Sequence, residues 1–488
     1  MEGQIKIINN FPIVLAGKFI SSLLTYTLSI FIARLYGAHL MGLFFLGLTI
    51  FNIFSIFTKL GLDNGILRFI SLYNSEEKYP YAKGAIIGCT KIVFILGIAL
   101  GIFLYAFSDL IAIKIFGKND LAIFLKVFSI ILPFFSIWGL LIEALKALKA
   151  TRYLVINQNI LFPFGNLLTI LIAFHLTGNG ALSLSFAYGF SVLLCGLMAG
   201  IWFFIKAFPE IKEKKSYSEI KKILKFSYPL LFVAVISLFI YWVDTLMIGI
   251  MLTSKDVGIY TSASKTALFI AFFLVSMGNI TPPFFAEYHH KGKIEELEKL
   301  SRISARWSFY ISFPIATLFI LLSKQIMSIF GPNFVSGFLV LVFLSLGQLV
   351  NAASGLVGQI LIMTGNQNNL AKITFLAALL NIILNLVFIP RWGVSGAGAA
   401  TGLTIATMNI FLSFTVYKFL GIKAYVDQLP KLFFLILGPI VIFFILLRLT
   451  NPYFAGFFFF LSYLLFISIW GLGESDRKFL HLLMLKIK

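Results

Sequence analysis

Six ionisable side chains lie inside stretches that are otherwise apolar: Lys18, Lys91, Lys126, Glu143, Asp244 and Lys265. A charge at the centre of a bilayer costs about 2.5–3.5 kcal/mol on insertion scales, so each needs a reason to be there. Four of the six are ammonium groups. Facing one lumen, they would favour an anion such as a diphosphate, whose oxygens take charge-assisted hydrogen bonds. Other roles compete with this one. Lys18 and Lys126 can instead run their long stems out to an interface. Glu143 and Lys146, three residues apart on one helix, make an ordinary interfacial pair. Asp244 and Lys265 fall at equal depth in neighbouring spans, where a structural ion pair is expected.

No enzyme constellation accompanies these charges. His39, His175, His289, His290 and His481 lack ligand spacing to cysteine or carboxylate partners, and no phosphate-binding Gly-Lys-Ser/Thr loop occurs. Cys89 and Cys195 sit within apolar runs and read as packing residues. The chain is therefore expected not to be an enzyme and to hold no metal or resident cofactor. Amides are scattered through the spans (Asn52, Asn166, Asn279, Gln348, Asn351, Gln359, Asn381, Asn385, Asn409), where they either tie helices together or meet sugar hydroxyls.

The elements that position these residues follow from composition. Of 488 residues, 60% are hydrophobic and 12% charged, and the mean hydropathy is +0.98. Water cannot solvate such a surface, but lipid can. Apolar stretches place spans at Phe11–Leu35, Leu40–Leu60, Ala82–Phe107, Leu121–Leu148, Leu154–Leu176 and Ala181–Ala207. After a basic linker come Phe226–Leu252, Val257–Ile280, Ile303–Phe330, Phe338–Met363, Leu370–Ile389, Val394–Leu420, Leu429–Leu449 and Tyr453–Trp470. The acidic stretch Ile294–Trp307 reads as a separate amphipathic helix lying on the cytoplasmic surface. With 14 spans, alternate gaps hold basic residues in a ratio of roughly 28 to 7, so both termini are expected to be cytoplasmic in a multi-pass cell-membrane protein. The net charge of +20 is thereby explained without nucleic acid, which is not an expected partner.

An internal repeat is visible. Phe11-Pro12 answers Tyr228-Pro229, Gly42-Leu43-Phe44 answers Gly258-Ile259-Tyr260, and Phe116-Gly117-Lys118-Asn119 answers Phe330-Gly331-Pro332-Asn333, at an offset of about 214–217 residues. Six spans per half is an even number, so both halves enter the membrane in the same sense. The expected fold is an all-α polytopic membrane protein of about 14 transmembrane helices. It comprises an N-lobe over 1–210, a basic linker over 211–225, a C-lobe over 226–421, and two further helices with a tail over 422–488. Two such lobes are expected to enclose a cleft and to expose it to each side in turn.

Several short motifs in order resemble the polysaccharide-transport, or O-antigen flippase-like, family of the multidrug, oligosaccharidyl-lipid and polysaccharide exporter superfamily. They are Ala33-Arg34-Leu35-Tyr36-Gly37 with Met41-Gly42, and Asp244-Thr245-Leu246-Met247-Ile248-Gly249 with Asp256-Val257-Gly258-Ile259-Tyr260 and Ala263-Ser264-Lys265. Pro282-Pro283-Phe284 with Glu287-Tyr288 follows, then Thr364-Gly365-Asn366-Gln367 and Ile389-Pro390-Arg391-Trp392-Gly393-Val394. The resemblance implies outward flipping of a polyprenyl-diphosphate-linked oligosaccharide through a cationic lumen; the family supplies no strict motif for its cations, and the span assignment makes Lys18, Lys91, Lys126 and Lys265 the candidates. The resemblance also implies coupling to an H+ or Na+ gradient, for which Asp244 and Lys265 are candidates beside their structural reading. Membrane lipids, a glycan polymerase and glycosyltransferases are the partners it suggests. A cation-coupled multidrug exporter and a peptidoglycan-precursor flippase are the alternatives. The first would need buried carboxylates in the first lobe, where span one offers Lys18, and the second has arginines in its lumen, which these first spans lack apart from Arg34.

Overall fold

The computed structural model describes residues 2–148, 150–178, 180–207, 216–278, 281–426 and 429–471, and they are almost wholly helical. Among the described residues, ten helices are long and apolar enough to cross a membrane. One of them, Glu2–Lys59, is two spans joined at Gly37, whose φ of 76° breaks the helix. Glycine adopts that left-handed φ without the Cβ clash other residues meet. The arms run antiparallel. Gly17 packs on Val155 and Tyr36 reaches the carbonyl of Ile170, so the first arm follows the helix Arg152–Leu176. Gly47 packs on Phe124 and Lys59 on Gly139, so the second follows Leu121–Ala147.

Spans seven, eight, ten and thirteen are shorter or interrupted, span ten being Phe338–Ser354 and Val357–Met363 on either side of Gly355. Span seven is Ile220–Tyr241 and Val243–Met251, split at Trp242, and span eight is Ser254–Ala267 and Phe272–Met277. All fourteen expected spans thus have helical counterparts. One expectation fails. Ile294–Trp307 is not a separate surface helix but the start of a single helix, Ile294–Leu321. Its acidic first turns grade into an apolar face with Leu297, Ser301, Ser304 and Ala305 already buried, so nothing interrupts the backbone ladder. The structure also adds a helix, Leu62–Ser75, that buries Leu62, Ile66, Phe69, Ile70 and Tyr73.

Compactness divides the chain at Thr261 and Ser262, not at the basic linker. Spans two and eight cross near their starts, within the first unit. A Cβ on Gly42 would strike the carbonyl oxygen of Ser254, and one on Gly258 would strike that of Ala38. These two contacts are the same contact exchanged through the repeat, and they bring two backbones together as only small residues allow. His39 Nδ1 lies 2.7 Å from Ser254 Oγ at the same crossing. Lys118, in the loop before span four, donates to the carbonyls of Phe116 and Leu252, each at 3.0 Å, and to that of Gly249. It thereby caps carbonyls left open at the end of Val243–Met251. Burial lowers the Lys118 ammonium from its ordinary range, and Asp256 opposes the shift. At the opposite, basic end, Tyr73 Oη donates to Glu219 Oε2 at 2.6 Å, and Lys222 stands 3.2 Å from the same oxygen.

In the second unit, span eight unwinds after Ala267 through successive i to i−3 bonds, from Thr266 and Phe269 to Leu268 and Ala271. Ser312 Oγ donates to the carbonyl of Ile270 at 2.5 Å, supplying a partner that the broken ladder and the lipid do not. The small-residue run from Gly393 packs closely: Gly398 lies on Val340, and Gly347 on the backbone of Gly402. The last two spans, Leu429–Leu449 and Pro452–Phe466, join this unit through Phe443, Phe459 and Tyr463 packed with Phe309, Tyr310 and Phe313. Tyr463 Oη donates to the carbonyl of Tyr310 at 3.1 Å.

Two outcomes are expected. Gly258→Ala should lower stability by about 1–3 kcal/mol, seen as a fall in the thermal unfolding midpoint. Gly196→Ala, whose Cβ would sit at an ordinary 3.6 Å from Trp138, serves as the neutral comparison, and equal midpoints would show the crossing to be loose. Tyr73 and Lys222 hold the Glu219 carboxyl below its ordinary 4.5. A depressed carboxyl stabilises the fold fully above its unfolded value and loses that contribution as pH falls through the folded one. Tyr73→Phe should therefore destabilise at neutral pH, with the gap from the parent protein closing only below 4.5; a gap independent of pH would assign the effect to packing.

Candidate anion-binding site

Lys59 ends the second arm of the first helix and is half-buried. Its Nζ stands 5.6 Å from the centre of the Phe135 ring. The absence of a side chain at Gly139 makes room for it, since a Cβ there would lie 3.3 Å from both Lys59 Cε and Nζ. Asp63, one turn on, and Glu143, one turn beyond Gly139, are its electrostatic partners. Glu143 also lies 3.2 Å from Lys146 Nζ. Lys146 in turn acts on Lys18 of the first span. Gly17, beside Lys18, packs on Val155 and so draws the first arm against the helix Arg152–Leu176.

Lys18, Lys59 and Lys146 therefore gather with Asp63 and Glu143, three ammonium groups against two carboxylates. All five belong to the first unit. The carboxylates neutralise Lys59 and Lys146 in part, while Lys18 and Lys146 repel each other. An anion placed beside them would relieve that repulsion and take up the excess charge, which suits a phosphate or diphosphate.

The other expected residues are dispersed. Lys126 pairs with Asp109, 2.8 Å away at the C-terminal end of span three, so a neighbouring span already supplies its counter-ion. Lys91 is exposed on the helix Tyr79–Leu110, among exposed Ile87, Phe94, Ile95 and Ile98. Asp244 is buried in the first turn of Val243–Met251 and accepts a hydrogen bond from Tyr260 Oη at 2.7 Å. The positive end of that helix favours its carboxylate. Lys265, in the second unit, is half-buried near the end of Ser254–Ala267, between buried Ser262 and Thr266.

Lys59 and Asp63 fall at the end of the second expected span and in the gap after it, where the sequence does not single them out. Four-residue spacing at a helix junction was the available signal. Nor does the sequence single out Asn157, which is fully buried, accepts from Trp138 Nε1 at 2.8 Å and donates to the carbonyl of Cys195 at 3.0 Å. Asn157 ties three spans together, and Asn385 donating to Asn381 Oδ1 at 3.0 Å does similar work within one helix. At these positions the amides are structural.

Inorganic diphosphate provides a direct assay of the cluster. Glu143→Gln leaves its positive charge in greater excess and should tighten diphosphate binding to the purified protein several-fold by calorimetry, whereas Lys18→Ala should weaken it. Equal affinities for the two variants would detach these residues from anion binding.

Comparison with known proteins agrees with this architecture. The sequence profile of the family described as "Polysaccharide biosynthesis protein" matches residues 7–289, and that of MatE matches residues 229–387. The chain is 24% identical over 405 residues to a "Probable low-salt glycan biosynthesis flippase Agl15" of Haloferax volcanii, covering 82% of this chain and 81% of that one. It is 22% identical over 249 residues to the capsular polysaccharide biosynthesis protein CapF of Staphylococcus aureus, covering 50% and 62%. Among solved structures, the lipid II flippase MurJ in an inward closed conformation shares the fold with a TM-score of 0.72 at 19% identity, over 94% of this chain and 98% of that one. An inward-facing multidrug resistance MATE family transporter follows at 0.69 and 15% identity, over 81% and 94%. Because the first of the two profiles spans more than half of the sequence, the chain belongs to the polysaccharide biosynthesis protein family.

Proposed function

We propose that this protein carries a polyprenyl-diphosphate-linked oligosaccharide across the cell membrane by alternating access, without altering it chemically. The observation that carries this reading is the gathering of Lys18, Lys59 and Lys146 in one unit with an excess of positive charge. A neutral sugar or a cationic drug has no use for such a cluster, whereas a diphosphate linker matches it in charge and hydrogen bonding. The family membership and the flippase named among the relatives support the same substrate class. The basic end, with both termini, is the cytoplasmic side in this reading, where a lipid-linked glycan is assembled. Glycosyltransferases supply the substrate, and a glycan polymerase or a further transferase consumes it. Asp244, held by Tyr260 in the broken seventh span, is the carboxylate through which an H+ or Na+ gradient drives the cycle.

In a strain lacking the chromosomal copy, Lys18→Ala should abolish surface glycan while protein level stays unchanged, and Lys126→Ala, which removes a cation already paired with Asp109, should leave most of it. Glycan undiminished in the Lys18 strain would remove that residue from transport. Raised tolerance to cationic dyes on overexpression would favour drug export instead.

A further inference from the structure

The second unit contains an open, almost wholly apolar cavity of about 430 Å³. Its size falls within the range of roughly 300–1,000 Å³ usual for ligand pockets. Phe309, Leu349, Val350 and Ile410 form its walls, from spans nine, ten and twelve. Ile410 is 59% exposed, so the cavity meets the surroundings of the protein and not its core. Of the three hydroxyl-bearing residues in its lining, Ser354, Ser413 and Tyr425, Ser413 already donates to the carbonyl of Asn409 at 2.8 Å. Such walls bind hydrocarbon, and a void among them would forfeit dispersion contacts that a chain restores.

The mouth has a different character. Between Val394–Leu420 and Leu429–Leu449 the chain runs through 421–426, with Ile422, Ala424 and Val426 buried and Lys423 and Tyr425 exposed. That alternation sets Lys423 and Tyr425 on one side of the strand-like segment, and Tyr425 lines the cavity. The Val426 N–H, donating to the carbonyl of Ala353 at 3.1 Å, pins the segment across the end of span ten. Arg302 Nε donates to the carbonyl of Lys423 at 3.2 Å, which brings a second cation to the mouth. One carboxylate, Glu298, pairs with Arg302 at 2.5 Å and accepts the Lys423 N–H at 3.4 Å. Two cations against one anion leave the mouth positive, and a tyrosine at an apolar–polar boundary sits where such rings are favoured.

We propose that this groove is a resident site for an anionic membrane phospholipid, with one acyl chain in the slot and the headgroup phosphate at Lys423 and Arg302. Basic pockets between transmembrane helices on the cytoplasmic side bind acidic headgroups, and the basic loops assign this mouth to that side. The site is separate from the lysine cluster of the first unit and does not depend on what that cluster carries.

The test uses the full-length protein in vesicles of equal parts phosphatidylcholine and phosphatidylglycerol, doped with either lipid bearing a photoactivatable acyl chain. Labelled phosphatidylglycerol should cross-link to Phe309, Leu349 and Ile410 about tenfold more than labelled phosphatidylcholine, a preference equivalent to about 1.4 kcal/mol. Lys423→Gln should abolish the preference while keeping total labelling. Ala353→Phe should fill the slot and remove the cross-links; should it fail to fold, as read by its melting temperature, Ile410→Gln at the exposed wall should reduce them several-fold. Equal labelling by the two lipids, or cross-links unchanged by slot-filling, would overturn the proposal. So would displacement of the phosphatidylglycerol label by an unlabelled polyprenyl phosphate, which would assign the slot to the transported chain.

Discussion

Hydrocarbon offers an ammonium group no partner, and the placement of charge in this protein follows from that constraint. Each lysine in or beside a span must reach an interface or find a counter-charge among the helices. Lys126 finds Asp109, Lys118 finds three backbone carbonyls, and Lys59 finds an aromatic face with Asp63 and Glu143 nearby. Lys18 differs, because the charged neighbour that acts on it is another lysine. Lys146 is itself paired with Glu143, so what remains is the excess of three ammonium groups over two carboxylates, and that excess is the physical basis for reading the cluster as a binding site.

The second organising feature is close backbone approach. Gly42 and Gly258 occupy equivalent repeat positions, and each lies against the other helix's carbonyl. Such a crossing needs no side-chain chemistry and relies on van der Waals packing, which drives helix association where lipid removes the hydrophobic incentive. The neighbouring helices are interrupted at Trp242 and after Ala267. Broken helices at membrane depth are tolerated where side chains such as Ser312 take up the freed carbonyls. They are also where transporters place binding and coupling groups, and Asp244 stands directly after one break.

Family membership and shared fold agree with these features, but the chemistry belongs to this chain's own side chains. The profile match and the structural likeness to flippases and multidrug exporters give the scaffold. A fold shared with both a lipid II flippase and a multidrug transporter does not fix a cargo, so the substrate class rests on the cluster's charge.

The sequence by itself determined the membrane class, the fourteen spans, the parallel repeat and the asymmetry of basic loops. These rest on hydropathy and on charge in segments of about 20 residues, which are local properties of the chain. It also held the helix Leu62–Ser75 in the spacing of Leu62, Ile66, Phe69, Ile70 and Tyr73, a helical period too short and too polar between its apolar positions to stand out as a span. The continuity of Ile294–Leu321 was legible only in part, since a change from charged to apolar residues marks a membrane boundary without marking a break in the helix. Only the tertiary structure decided which buried lysines are partnered. Lys18 and Lys146 are far apart in sequence, as are Lys59 and Glu143, and side-chain neighbours on different helices depend on helix rotation and crossing, which no local pattern specifies.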